Sequence, residues 1–328
     1  MGVSVIVPCL NEEANLGSCL DSLAGQDFSG GFEVLVIDNG SRDRTREIAA
    51  ARAASDPRFR LIVEGRRGTA AARNAGLRSA AHDLLAFIDA DCEAPHGWLS
   101  LLVRSWEDIR AQDPAVAGVG GRNIAPPTAS PFVRAVEVAL DSWFGSYSSA
   151  QGRQFARPAV VSHVSLVNAL YDKEAMLSIG GFDDSLADEA EDAEINFRLA
   201  RGGRTLLFVP ESFVWHKFRA SPRPWLRNMF RYGKGRARLL KRYRRMWALP
   251  YLIPLVFLAA LAAVPLALWS PVFLLPLLYF PLIVGVAAAQ AGRRKAWPLF
   301  GRLCGVYILL HVGYAAGELA GLVDPRVR

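Results

Sequence analysis

Leu84–Trp98 reads LLAFIDADCEAPHGW. Its five leading apolar residues, bounded by polar neighbours, predict a short buried strand, and Pro95 with Gly97 mark the exit through a loop into a helix. Two aspartates, Asp89 and Asp91, stand one residue apart at the tip of that strand. Their charges repel, so a positive group belongs beside them, and a hard divalent cation is the obvious one.

The same alternation of apolar and polar runs recurs on either side of this stretch. Strands are predicted near Val3–Val7, Phe32–Ile37, Phe59–Val63, Leu84–Ile88 and Ala115–Val119, with helices near Glu12–Ala24, Asp43–Ala54, Thr69–Ala80 and His96–Ile109. Strand and helix alternating at such intervals imply an α/β fold, a mostly parallel sheet covered on both faces with its ligand beyond the carboxyl ends of the strands. The polar residues that look out of place fall at those ends: PCLNEE (Pro8–Glu13), DNGSRDRT (Asp38–Thr45) and DADC (Asp89–Cys92), with GRRGTAAARNAG (Gly65–Gly76) opening the third helix. Acids for a ribose, a base edge and a metal, with arginines for phosphate, suit a nucleoside diphosphate. Asn11, Asp38 and Ser41 could each serve as a turn or helix cap and nothing more; their sharing one rim is what favours a site.

The 328 residues carry a net charge of +7, and the excess is clustered. From Arg219 to Arg245 arginines and lysines alternate with Trp225, Met229, Phe230, Leu240 and Tyr243 at roughly helical spacing, which predicts an amphipathic helix on an anionic membrane surface. Nucleic acid is the rival partner for a basic run, but this one abuts apolar spans, which argues for membrane and no nucleic acid. Trp247–Trp269 is free of charge and bracketed by tryptophans, and Pro271–Gln290 is a second such span. Separated only by Ser270, the two predict a tight hairpin. Arg293, Arg294 and Lys295 then place the next loop on the cytoplasmic side, the side of the basic segment. Leu299–Val323 is a weaker third span, carrying Arg302, His311 and Glu318, and either crosses or lies partly in the interface. His311 and Glu318, seven apart, share a helix face that should point at the other helices.

Cys9, Cys19, Cys92 and Cys304 form no paired pattern, which predicts reduced thiols and fits a cytosolic face. A strand beginning at Val3 leaves no room for a signal peptide ahead of it. The expected divisions are residues 1–220 as the catalytic domain, 221–246 as the interfacial segment, 247–323 as a membrane domain of about three helices and 324–328 as a tail. The expected location is the inner (cytoplasmic) membrane, multi-pass, with the catalytic domain cytoplasmic.

Taken in order and spacing, VSVIVPCLNEE, VLVIDNGSRDRT, GTAAARNAG, FIDADC and IGGFDDSLADEAEDAEINFRLARGG resemble the motifs of family 2 glycosyltransferases with a GT-A fold. The resemblance covers about residues 2 to 220. It implies a GT-A-type, mostly parallel nucleotide-binding sheet flanked by helices, followed here by the basic helix and transmembrane helices. It also implies inverting transfer of a sugar from a nucleotide-sugar donor, with Mn²⁺ or Mg²⁺. Carried onto matching positions, Pro8, Leu10, Glu12 and Asp38 would cradle the nucleoside, and Arg73 would stand on the phosphate side. Asp89 and Asp91 would be the DXD pair, one facing the ribose and the other the cation, and the resemblance selects Glu191 and Asp192 as the catalytic pair, with Asp192 as base. Asp188 and Glu189 also suit helix capping, because the helix dipole favours acids at an N-terminus. His216 in VWHKF would join Asp91 and Asp89 at the metal, and His163 and His82 receive no role.

Where processive polymerases of the family carry a Gln-x-x-Arg-Trp motif, this chain has HKFRASPRPW, which implies a single-addition enzyme acting on a lipid-linked or membrane-associated acceptor. A nicotinamide oxidoreductase would need GxGxxG after the first strand, and PCLNEE replaces it. A sugar nucleotidyltransferase would need a glycine-rich basic loop there. The non-enzymatic alternative is a membrane protein whose soluble domain senses a nucleotide sugar.

Overall fold

In the first strand Val3, Val5 and Val7 bury themselves on one face of the sheet while Ile6 buries on the other, as a central strand requires. The computed structural model describes residues 1–146, 155–186, 190–218, 221–247 and 249–325. Its strands are β1 (Val3–Cys9), β2 (Phe32–Asp38), β3 (Phe59–Val63), β4 (Leu84–Phe87), β5 (Cys92–Glu93), β6 (Val116–Ile124), β7 (Ala159–Val160), β8 (Ala169–Asp172) and β9 (Thr205–His216). They form one sheet in the order β3-β2-β1-β4-β8-β6-β9-β5, with β7 also on β9. The β1–β2, β2–β3, β1–β4 and β6–β9 pairs are parallel, and β8 enters antiparallel between β4 and β6. The fifth predicted strand is therefore present but separated from the fourth by a later segment.

Helices cover both faces. Leu16–Ala24 and Trp98–Arg110 pack over Val3, Val34 and Leu84, while Thr69–Ser79 and Glu191–Arg201 pack over Ile6, Leu35 and Phe87. Gly76 makes one of these contacts possible, because a Cβ there would lie 2.6 Å from Ile6 Cγ2. The first helix starts later than its apolar pattern suggests, since Glu12–Asn15 is a turn anchored by Glu12 N donating to Thr45 Oγ1 (2.7 Å).

Two compact units emerge, and the chain passes between them more than once. The first holds Met1–Pro126 and Ser149–Lys217; the second holds Pro127–Ser148 and Phe218–Arg328. A single cut near residue 220 misses the excursion, because nothing local in helix Pro131–Leu140 tells which unit its apolar face is buried in.

In the second unit the basic helix forms as Pro222–Arg242 and lies along Phe300–Val323. Its buried face holds Trp225, Met229, Gly233, Ala237 and Leu240. The apolar face expected to meet lipid is thus covered by protein. Glycines set the closeness: a Cβ on Gly233 would run into the Tyr314 carbonyl oxygen, and one on Gly317 into that of Phe230. His311 and Glu318 are both buried, as their shared face predicts; His311 Nε2 meets the Phe144 carbonyl and its Nδ1 the Tyr279 hydroxyl, each at 2.8 Å. Arg293 and Arg294 reach Asp141 Oδ2 at 2.5 and 2.6 Å, so the charges read as a topology signal also hold Pro131–Leu140 in place.

Two helices among the described residues, Pro271–Arg293 and Trp297–Val323, are long and apolar enough to cross a membrane. The first predicted span is not one such helix. Leu249–Ala262 has 14 residues, about 21 Å of rise against a hydrocarbon core of about 30 Å, and gives way to a 3₁₀ segment at Val264–Leu268. Pro265, at the start of that segment, withdraws a backbone N–H from the helical ladder.

Candidate active site

After β4 the chain does not stay extended: Cys92 N donates to the Asp89 carbonyl (3.0 Å), closing a turn. That turn parts the two aspartates, which strand alternation would leave on one face because they are two positions apart. Asp89 Oδ1 accepts from Arg73 Nη2 at 3.0 Å, whereas Asp91 Oδ1 lies 3.5 Å from His216 Nε2. His216 arrives because β5 pairs antiparallel with the end of β9, setting Cys92 opposite His216. Asp91, Cys92 and His216 together offer a cluster of metal-ligating atoms, and Asp89 is not in it. The positive group beside Asp89 is the Arg73 guanidinium.

Arg73 is buried among carboxylates, with Nη1 donating to Glu191 and Nη2 to Asp89. Each terminal nitrogen thus donates to a carboxylate of the site. Burial pushes the Asp89 and Glu191 carboxyls up, and the shared guanidinium opposes that shift without cancelling it. Through Arg73 the DXD turn and the acidic helix are joined into one assembly. Asn74, the next residue, fixes the preceding loop by bonding Phe182 N, Phe182 O and Asp184.

The acidic helix Glu191–Arg201 begins after Ala190 in the left-handed conformation (φ 61°). Asp188 and Glu189 lie outside the described residues. Glu191 is turned inward to Arg73, while Asp192 stays one-third exposed and faces His163, whose Nε2 is 3.1 Å from Asp192 Oδ2. Burial alone would push the Asp192 carboxyl up, but His163 first and then Arg73 hold it down to about 2. Asp192 is thus the member of the acidic pair with access to solvent.

The nucleoside-side residues form a separate part of the rim. A cavity of about 380 Å³ opens among Leu10, Asn11, Asn39, Gly40, Arg42, Arg67 and Gly68, beyond the ends of β1 and β2. Of the residues expected to cradle a nucleoside, Leu10 lines it. Asp38 is fully buried and engaged, with Oδ2 taking both Arg46 Nε (3.0 Å) and Nη2 (2.7 Å) and Oδ1 taking Ser41 N (3.1 Å). Its alternative role as a turn residue is what its contacts describe. Pro8 lies in β1, half-buried, and Glu12 takes part in the turn that closes on Thr45. Asn39, within DNGSRDRT, has no local pattern that sets it apart; its Oδ1 accepts Gly68 N (2.8 Å) and its Nδ2 donates to the Glu64 and Arg66 carbonyls, shaping the cavity wall.

Residues 4–180, more than half of the chain, match the family model described as Glycosyl transferase family 2. The chain belongs to this family. It is a glycosyltransferase, and between the enzyme and sensor alternatives the enzyme stands. The sequence is 28% identical to the succinoglycan biosynthesis protein ExoA of Rhizobium meliloti (strain 1021), over 99% of this chain and 96% of that protein. It is 28% identical to the glycosyltransferase AglE of Haloferax volcanii, over 78% of this chain and 81% of that one. Among solved structures, a mannosyltransferase from Pyrobaculum calidifontis in complex with GDP-Man and Mn²⁺ is similar in fold, with a TM-score of 0.61, 22% identity, and coverage of 98% of this chain and 87% of that one. The likeness supports a GT-A-type α/β fold for this glycosyltransferase.

Proposed function

We propose that this glycosyltransferase moves a sugar, with inversion, from a nucleotide-sugar donor to a lipid-linked or membrane-associated acceptor at the cytoplasmic membrane face, in cell-surface glycan or exopolysaccharide synthesis. The observation that carries the reading is the Arg73 link, which sets a metal-ligating cluster and a solvent-accessible carboxylate on one rim. Two apolar helices and the exposed Arg223, Arg227 and Arg231 of the basic helix support work at an anionic membrane surface. The similarity to a protein named for succinoglycan biosynthesis supports the exopolysaccharide branch.

Mn²⁺ or Mg²⁺ fits the donor set. Asp91 supplies a hard carboxylate and His216 an imidazole, while the Cys92 thiol donates its hydrogen toward Asp91 Oδ1 (3.6 Å) and burial pushes it well above its usual range. Such a cation would be held by Asp91 and His216, and its charge would offset that building on the departing diphosphate. The chain's own residues do the rest. The cavity beside Leu10, Asn11 and Arg42 receives the nucleoside, Arg73 fixes Asp89 and Glu191, and Asp192 removes the proton of the attacking hydroxyl. General-base help of this kind is worth about 10²–10⁴ in rate.

Thermal shift with a panel of UDP-, GDP- and TDP-sugars and Mn²⁺ identifies the donor. With that donor, Asp91→Ala is expected to lose metal-dependent nucleotide binding, whereas Asp192→Ala keeps binding and loses turnover. Equal loss of binding in both variants would contradict this division of roles.

A further inference from the structure

Asp192 does not stand alone. Its Oδ2 is 3.1 Å from His163 Nε2, across 29 residues of sequence. Nor is His163 there by accident of a loose loop. Asn196, one turn beyond Asp192 on the same helix and fully buried, donates from Nδ2 to both the Asp192 carbonyl (2.7 Å) and the Val164 carbonyl (2.8 Å). Tyr171 in β8 donates its hydroxyl to Asn196 Oδ1 at 2.6 Å, which fixes the orientation of that amide. Upstream, Val161 N bonds the Leu206 carbonyl (2.9 Å). The loop carrying the imidazole is therefore tied on both sides of His163, once to the very helix whose carboxylate the ring addresses.

We propose that His163 is a positioning residue acting through Asp192, its Nε2–H donating to that carboxylate and holding it toward the acceptor. The inference rests on Asp192 being the base. The hydroxyl oxygen forms its bond to the anomeric carbon as the bond from that carbon to the diphosphate oxygen breaks, and the departing pair stays on the diphosphate. The hydroxyl proton passes to the Asp192 carboxylate, which is one-third exposed and returns it to solvent. Among the described residues, the groups facing the pair are Arg73 from helix Thr69–Ser79, Glu191 on the same helix as Asp192, and the Tyr171 hydroxyl from β8; Asp89 lies beyond Arg73.

In this scheme Asp192 needs a hydrogen-bond donor from position 163. His163→Leu is expected to lower kcat by about 10- to 100-fold and leave the donor's KM within about twofold, while His163→Gln, which keeps a donor, recovers kcat to within about threefold of wild type. Wild-type kcat in His163→Leu overturns the proposal, as does a folded His163→Gln no better than His163→Leu. His163→Asn provides the same comparison if donor-induced thermal shift finds the glutamine variant unfolded. Asp192→Asn separates the two claims. Retained turnover there sinks the base assignment itself, whereas lost turnover with an indifferent His163→Leu sinks only the role of His163.

Discussion

Arg73 shows how a residue legible in sequence has partners that only three dimensions reveal. Its position in ARN marks it as part of the site, but its partners, Asp89 and Glu191, lie 16 and 118 residues away, and no local pattern announces them. Removing one member of a buried ionic group leaves the others charged and unpaired, at a cost of about 3–5 kcal/mol. Arg73→Met is therefore expected to lose about that much in urea unfolding, and a loss below about 1 kcal/mol would show that Asp89 and Glu191 are not held as described. Arg73→Lys should recover only part, because one ammonium lacks the fork that reaches two carboxylates. His216 was legible because it follows a strand in a recognisable motif. His163 was not: a lone histidine in a loop offers no periodicity, and only the fold sets it against Asp192. Asp38 stands between these cases, its polarity visible and its bond to Arg46 invisible.

At the level of elements, hydropathy alternation located the early strands and helices because both faces of the sheet are buried and each strand must be apolar throughout. It could not order them, since the insertion of β8 between β4 and β6 depends on pairings between distant segments. Helix ends moved where side chains captured the backbone, as at Glu12 and Thr45. Composition predicted three spans, and two described helices have the required length, because average hydropathy does not register where a helix gives way, as it does at Val264–Leu268. The seam between Pro222–Arg242 and Phe300–Val323 carries its own prediction. Gly317→Leu places a side chain against the Phe230 carbonyl, a backbone atom that no rotamer change displaces. We expect the two helices to separate, with detergent-solubilised protein losing about 1–3 kcal/mol or more of stability. Gly285→Leu on Tyr279–Arg293, where a Cβ meets nothing within 4 Å, is the matched control and should stay near wild type.

For the whole molecule, the double passage between units changes what truncation does. A single boundary near residue 220 predicts that a chain ended after Leu249 folds and binds donor. Pro131–Leu140 alters that expectation, because its buried Val133, Val136 and Ala139 and the Asp141 carboxylate belong to the second unit. Ending the chain at Leu249 removes Gln290, Arg293 and Arg294, leaving Asp141 without both guanidinium partners. The truncated protein is expected to be poorly soluble or to melt well below the full chain, as differential scanning fluorimetry in matched detergent would record. Equal melting temperatures would mean the excursion contributes little.

That excursion also bears on how the protein is made. Ribosomes deliver residues from the N-terminus, at about 5–20 per second, and about 150 residues separate Asp141 from Arg293. For roughly 8–30 s the nascent Pro131–Leu140 segment has no arginine to meet its aspartate and no later helices to cover its valines. A factor that shields apolar segments, or a pause timed to insertion of the later helices, would protect the chain through that interval.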